Sequence, residues 1–566
     1  MDDRVWHGAY DAGVPAGLDY EPLTMPGFLA RSVKTHPGAP ALIFERRRMS
    51  YRRLGDEVAR FATVLSRLGV TRGTRVAIQL PNVPQTVIAY FATLGLGAEV
   101  VMTNPLYVER ELEHQWNDAG CSVAVVADYL YAGRIQPIRQ ALPVRQYVIA
   151  SIPNYLTWPL RWFARIALAR ATPPLVRRVA AARDVHHMSR EIRRTDPDPP
   201  EVDVDLDAVA VVQYTGGTTG VSKGAVLTHR NLSANVQQVR AWFTDVAVGR
   251  EVMLGALPFF HVFGMTVAMN FPIVAASAIV LIPDPRDVRR VVTSIATHRV
   301  TLFPGVPAMF DAITSSADAD RADLTSVISC FSGGAPLTHD VLTRFERLTG
   351  SRIVEGFGLT ETSPVTHVNP LHGTRKVGTI GVPLPDTDAR IVDPEGGQLD
   401  VPTGQPGELL VRGPQVMRGY WRQPEETART IRDGWLYTGD IATRDEDGYF
   451  SIVGRKKEMI IAGGYNIYPD EVDAVLAAHP AVAESATIGV PDARRGETVK
   501  SFVVVRAGAA VTADELKQYC RAELAAYKIP RIIEFRDSLP KSTVQKVLRR
   551  ELRAQEVARA STRESS

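Results

Sequence analysis

Cysteine is scarce: Cys121, Cys330 and Cys520 stand far apart in 566 residues, with no CxxC pair among them. That spacing excludes a disulfide framework and a cysteine-based zinc site, and it fits a reducing compartment. An excess of one charge is missing too. With 65 basic residues against 62 acidic ones, the formal net charge is only +3, so no chain-wide field for nucleic acid exists and no nucleic-acid partner is expected. No apolar run has the length needed to span a bilayer. The most apolar, VAMNFPIVAASAIVLIPD, is broken by Asn270 and Pro272 and reads as a buried helix followed by a buried strand. The acidic MDDRVWHGAYDAG start lacks the basic-then-apolar order of a secretory signal, so a cytoplasmic location is expected. Internal repeats are absent.

What remains is an ordinary folded composition, 45% hydrophobic and 22% charged, in a chain too long for one core. Strand-like runs (TRVAIQLPN, VAVVQY, ASAIVLIPD) alternate with helically spaced stretches, which implies α/β layers. One helix, LGDEVARFATVLSRLG, is expected to begin after MSYRRL and to end at Gly69. Residues 151–205 change character, from an Arg/Trp/Phe-rich stretch to the Pro/Asp-rich RRTDPDPPEVDVD, and read as an insertion closed by a linker. A second shift near Gly454 sets off about a hundred residues of a size that folds on its own. The expected division is 1–453, then 454–458, then 459–555, with 556–566 too poor in apolar residues to order itself.

YTGGTTGVSKG, Tyr214 to Gly224, follows the strand-like LDAVAVVQY. A chain turning sharply after a strand aims several backbone N–H groups at one anion, and glycine allows that backbone. Thr215, Thr218, Thr219 and Ser222 add hydroxyl donors, Gly216, Gly217 and Gly220 leave room, and Lys223 adds a charge. It is the chemistry of a triphosphate cradle. It is not a Walker A loop, because Ser222 stands where GxxxxGK[ST] needs glycine.

With this stretch, an ordered series of further motifs resembles the adenylate-forming superfamily of acyl-CoA and aryl-CoA synthetases, luciferases and peptide-synthetase adenylation domains. The series runs PFFHVFG (258–264), SGGAP (332–336), EGFGLTETSP (355–364), VGTIGVPLP (377–385), GELLVRGPQVMRGYW (407–421), YTGD (437–440), GRKKEMIIAGGYNIYPDEV (454–472) and LPKSTVQKVLRREL (539–552). The resemblance implies an α/β fold with a large N-terminal domain of α/β subdomains and a small mobile C-terminal α+β domain. It implies a two-step reaction: a carboxylate attacks the α-phosphorus of ATP, pyrophosphate leaves, and a thiol then attacks the acyl-adenylate. ATP, Mg2+ and coenzyme A are the implied cofactors.

Carried residue by residue, the resemblance makes Glu361 the Mg2+ ligand, with Thr218 and Thr360 supplying nearby oxygens. Gly333, Gly334 and Ala335 leave room for the purine and Phe357 offers it an aromatic face, with Glu355 and Gly358 among the further ATP-binding residues. Asp440 accepts the ribose hydroxyls and Arg455 lies beside it. Lys546 bridges carboxylate and α-phosphate, although Gln545 stands where the family usually has glycine. Lys457 matches a hinge position, and Gly463, Gly464 and Tyr465 line the route of the coenzyme A arm.

His261, Val262, Phe263 and Gly264 lie where relatives bind the acid. PFFHVFG has no aspartate to pair with an amino group, so amino-acid activation loses ground to an uncharged acyl or aryl tail. The 151–205 insertion resembles basic-aromatic insertions before the phosphate loop of long-chain fatty acyl-CoA synthetases, and EGFGLTETSPVTHVNP looks most like that branch, so the resemblance implies a long- or medium-chain fatty acid substrate. An aryl-CoA ligase of the coumarate type and an acyl-AMP ligase loading a carrier protein stay open as alternatives. A helix from Pro159 would put Trp162, Phe163 and Ile166 on one face and Arg161 with Arg165 on another, Arg170 breaking the pattern. Peripheral membrane contact through 155–183, at the inner face, and docking on the protein's own surface are weighed equally. The oligomeric state is open, a homodimer being one option.

Overall fold

The computed structural model describes residues 4–172, 174–215, 222–395, 397, 399–462, 465–492, 495–542 and 547–564, with backbone only at 465, 466 and 560–564. The chain divides into two compact units, one of residues 1–388 and 412–436, the other of 389–411 and 437–566.

The first unit is layered around two large sheets flanked by helices, nine- and eight-stranded among the described residues. In the eight-stranded sheet Arg75–Gln79, Glu99–Met102, Val123–Ala127 and Val209–Thr215 run parallel, which buries both faces and explains their nearly unbroken Val/Ala/Ile content. Val209–Thr215 then turns back: it pairs antiparallel with Lys223–Thr228, Thr215 opposite Lys223. The expected strand before the glycines is therefore present, while Gly216, Gly217, Thr218, Thr219, Gly220 and Val221 lie outside the described residues.

The amphipathic helix expected near residue 54 is present from Tyr51 to Arg67. It starts three residues earlier than its apolar spacing suggests, because the Ser50 side chain accepts from Arg53 N and caps the end there. Gly69 follows with φ +87°, as a helix stop requires. The apolar run of 267–284 is a buried helix and strand, as expected; the helix opens as a π-helical turn, Gly264–Asn270, that continues into Phe271–Val274.

The 151–205 stretch contributes more than an insertion. Val185–His187 adds an edge strand to the eight-stranded sheet and Met188–Arg194 forms a helix. Ahead of them in the chain comes the helix Leu160–Arg170, none of whose residues is buried.

The second unit holds a sheet running from Asp388–Val392 through Gly407–Arg412 to the hairpin Trp435–Arg444 and Phe450–Arg455, and a further sheet with Val482–Asp492 paired along Gly496–Val505. The helices Pro469–Ala477 and Ala513–Glu523 bury Val472, Leu476, Leu516 and Cys520 against the latter sheet. The helix Arg549–Glu564 enters the 556–566 stretch where disorder was expected. Charge rather than apolar content holds it: Glu556 takes the nearly buried Lys500, and Arg559 pairs with Glu534 and Glu556.

Candidate active site

In the first unit the folded chain gathers motifs that are far apart in sequence. Gln213, on the strand leading into the phosphate loop, donates its Nε2 to the Phe260 carbonyl at 2.8 Å, tying that strand to PFFHVFG. Asn82, three residues past the strand Arg75–Gln79, holds the run leading into the same motif: its Nδ2 donates to Gly255 O (2.9 Å) and Leu257 O (2.7 Å), and its Oδ1 accepts from Phe259 N (2.9 Å). A side chain at Gly264 would sit 2.2 Å from Pro258 O, so only glycine lets the π-turn close on PFFH. A Cβ at Gly333 would stand 3.2 Å from the Phe263 ring, so SGGAP and PFFHVFG are in contact.

His261 is half-buried, beside the buried Val262 and Gly264. Its Nδ1 accepts from Phe263 N at 3.3 Å, which leaves Nε2 to carry the proton of the neutral ring. Phe357 packs edge-on to His367, ring centroids 6.1 Å apart, and stands on the strand next to SGGAP. Glu355, expected in the nucleotide slot, acts instead as a fastener: its carboxylate accepts from Leu337 N (3.0 Å) and Gly378 N (3.3 Å), so it ties SGGAP to VGTIG. Burial raises its pKa against the pull of those amides.

Glu361 lies in the 3-10 turn Thr360–Thr362. Its carbonyl accepts from Met417 N at 2.7 Å, and its Oε1 accepts from the Tyr420 hydroxyl at 2.7 Å. Oε2 accepts no hydrogen bond among the described residues. No cluster of three or more His, Cys, Asp or Glu side chains able to hold a metal exists among those residues. A carboxylate with one oxygen left unbonded by the described residues fits Mg2+ that arrives with a nucleotide, since this ion is usually held by one or two carboxylates plus phosphate oxygens. Lys223 Nζ forms an ion pair with Glu426 and lies 5.4 Å from the Tyr420 ring centroid.

In the second unit, Asp440 is 3% exposed and Arg455 Nε stands 2.8 Å from its Oδ1, the two residues facing each other across the hairpin. Lys457 is exposed, in the 3-10 turn Lys456–Glu458. Arg549 Nη1 donates to Glu458 at 2.7 Å, and Arg553 reaches the Lys457 and Glu458 carbonyls. Ile460–Ala462 and Tyr465–Ile467 pair antiparallel. Gly463, Gly464, the Tyr465 side chain, Gln545 and Lys546 lie outside the described residues.

Sequence reasoning missed Asn82, Gln213, Tyr420 and Glu426. The first two act through backbone carbonyls of a distant motif, which no local pattern announces. Tyr420 and Glu426 do lie in or just beyond the matched run GELLVRGPQVMRGYW, and their polarity there was the available signal.

Sheets that bring the strands flanking YTGGTTGVSKG, the Glu361 turn and PFFHVFG into one unit are the framework of an adenylate-forming enzyme. The chain belongs to the AMP-binding enzyme family: that family's model matches residues 29–421, and the AMP-binding enzyme C-terminal domain matches 471–546. A long-chain-fatty-acid–CoA ligase of Bacillus subtilis (strain 168) is 42% identical over 558 residues, 98% of this chain and 99% of that protein. A feruloyl-CoA synthase of Amycolatopsis sp is 36% identical, covering 92% of this chain and 97% of its own. Among solved structures, the anthranilate CoA ligase AuaEII in complex with anthranoyl-AMP superimposes with a TM-score of 0.83 at 26% identity, over 96% of this chain and 98% of that one.

Proposed function

We propose that the protein is an ATP-dependent, AMP-forming fatty acid–CoA ligase. A fatty acid carboxylate attacks the α-phosphorus of ATP, pyrophosphate departs, and coenzyme A sulfur then takes the acyl group, releasing AMP. The observation that carries the reading is 42% identity over nearly the whole chain to a long-chain-fatty-acid–CoA ligase; the bonds from Gln213 to Phe260 and from Tyr420 to Glu361 support it.

Within it, Lys223 and the 215–220 stretch grip the β- and γ-phosphates, so they hold the leaving group. Glu361, with Thr218 and Thr360, would hold Mg2+, which when bound neutralises charge between the two reacting anions. Gly333, Gly334, Ala335, Phe357 and Gly358 accommodate adenine, and His261 borders the acid's carboxyl end. Asp440 and Arg455 take the ribose; the buried Asp440 carboxylate, oriented by the guanidinium beside it, supports that role. Lys546 bridges carboxylate and α-phosphate, Lys457 in 454–458 is the hinge between half-reactions, and Gly463, Gly464 and Tyr465 border the coenzyme A route; matched motifs support these assignments.

No helix among the described residues is long and apolar enough to cross a membrane. We place the protein in the cytoplasm, which its three unpaired, buried cysteines support. Peripheral contact with anionic lipid through 155–183 is the finer reading. Trp158 is 85% exposed, and Trp162 and Phe163 stand outward beside Arg165 and Arg170 on a helix with no buried residue. Sedimentation with phosphatidylglycerol vesicles tests it, since Trp162→Ala with Phe163→Ala should abolish co-sedimentation. The enzymatic reading is tested by incubating the protein with ATP, Mg2+, coenzyme A and palmitate: pyrophosphate, AMP and palmitoyl-CoA should form, and ADP with phosphate would contradict it.

A further inference from the structure

Glu426 is out of place in a site that must bind polyphosphate. Its carboxylate meets the ammonium of Lys223 in an ion pair, with side-chain exposures of only 28% and 15%. Local sequence explains how it gets there. The short strand Gly419–Tyr420 pairs with Lys223–Thr228, setting Tyr420 opposite Ala225, and the helix Pro424–Thr430 follows at once. Thr427 Oγ1 accepts from Tyr420 N at 2.8 Å and donates to Gln423 O, so the helix is locked to the strand that flanks Lys223. That geometry returns the chain to bring Glu426 onto the lysine. The Tyr420 ring lies beside the same ammonium while its hydroxyl is engaged by Glu361.

We propose that Glu426 is a displaceable counter-ion for Lys223: it holds the ammonium when no polyphosphate is bound, yields it to the phosphates of ATP, and takes it back as pyrophosphate leaves. The inference rests on the reading of Lys223 as a polyphosphate ligand. An ammonium that is 15% exposed needs a partner at each stage, because a largely buried charge without one is disfavoured. Exchanging one ion pair for another makes net phosphate affinity the difference between the two. The nucleotide therefore binds less tightly than Lys223 alone would allow, and release of the leaving group is eased.

Calorimetric titration with inorganic pyrophosphate and Mg2+ tests this in the full-length wild type and in Glu426→Gln, Lys223→Ala and the double variant. Glu426→Gln, nearly isosteric, should bind pyrophosphate about fivefold tighter, because a like charge next to the ligand is gone. Its KM for ATP should fall by a similar factor, and the gain should vanish in the double variant. Glu426→Ala provides a second route should the glutamine variant misfold. Pyrophosphate affinity unchanged or weakened in the folded Glu426 variants overturns the proposal. If Lys223→Ala leaves pyrophosphate affinity unchanged, the assignment of Lys223 itself fails, and the counter-ion role with it. If that variant binds more weakly while the Glu426 variants do not tighten, the counter-ion alone is wrong.

Discussion

The Tyr420 hydroxyl donates to the Glu361 carboxylate at 2.7 Å, across 59 positions of sequence. Burial and the neighbouring carboxylate both raise the Tyr420 pKa, so the phenol stays protonated and remains a donor. It fixes one carboxylate oxygen, while the other accepts no hydrogen bond among the described residues. Tyr420→Phe should lower adenylate formation about tenfold and raise the Mg2+ concentration needed for half-maximal nucleotide binding, as expected for loss of a hydrogen bond to a charged group. Nucleotide titration at graded Mg2+ checks this; an unchanged Mg2+ dependence would reduce the tyrosine to packing.

Asn82 spends all three of its observed bonds on the backbone around PFFHVFG. Asn82→Ala leaves buried backbone groups without partners and should cost about 3 kcal/mol of stability. The KM for the fatty acid should rise more than that for ATP, since the displaced segment carries His261. Urea unfolding and steady-state kinetics measure the two effects.

The roles proposed for Lys546 and Lys457 predict effects on different half-reactions. Lys546→Ala should slow adenylate formation by about a hundredfold, the scale of losing an electrostatic stabiliser, while sparing thioester formation from supplied acyl-adenylate. Lys457→Pro should do the reverse, because proline restricts the backbone torsion a hinge uses. Pyrophosphate release and acyl-CoA formation are followed separately, and equal loss of both in either variant sinks its assignment.

Acid sensitivity has a source in the first unit. Burial lowers the pKa of His229 to about 4 and of His367 to about 3, against an ordinary value of 6.5. The unfolded chain therefore binds protons that the folded chain refuses. Stability is full above pH 6.5 and declines as pH falls toward 4 and then 3. His229→Leu should flatten this slope by up to one proton, read as melting temperature against pH; an unaltered slope would show that His229 does not control it.

The strand before YTGGTTGVSKG and the helix ending at Gly69 were legible because a single local pattern decides each: an apolar run into glycines, and apolar spacing stopped by a glycine. The Ser50 cap moved the latter's start, a side-chain bond that periodicity does not report. Glu361 was legible as a motif residue, yet Tyr420, which orients it, was not, because their pairing is made by the strand register of Gly419–Tyr420 on Lys223–Thr228. Glu355 was placed at the nucleotide by motif alone, whereas its oxygens are committed to backbone amides. The order in the C-terminal helix escaped notice because ion pairs to Lys500 and Glu534 supply it rather than apolar residues.

The central claim, ligation of a fatty acid to coenzyme A, is tested most directly by competition. The protein is given ATP, Mg2+, coenzyme A and equal amounts of octanoate, palmitate, oleate and coumarate, and the thioesters are resolved by mass spectrometry. Fatty acyl-CoA with stoichiometric AMP is the predicted result. Coumaroyl-CoA as the dominant product, or acyl-AMP that persists beside unused coenzyme A, would contradict it.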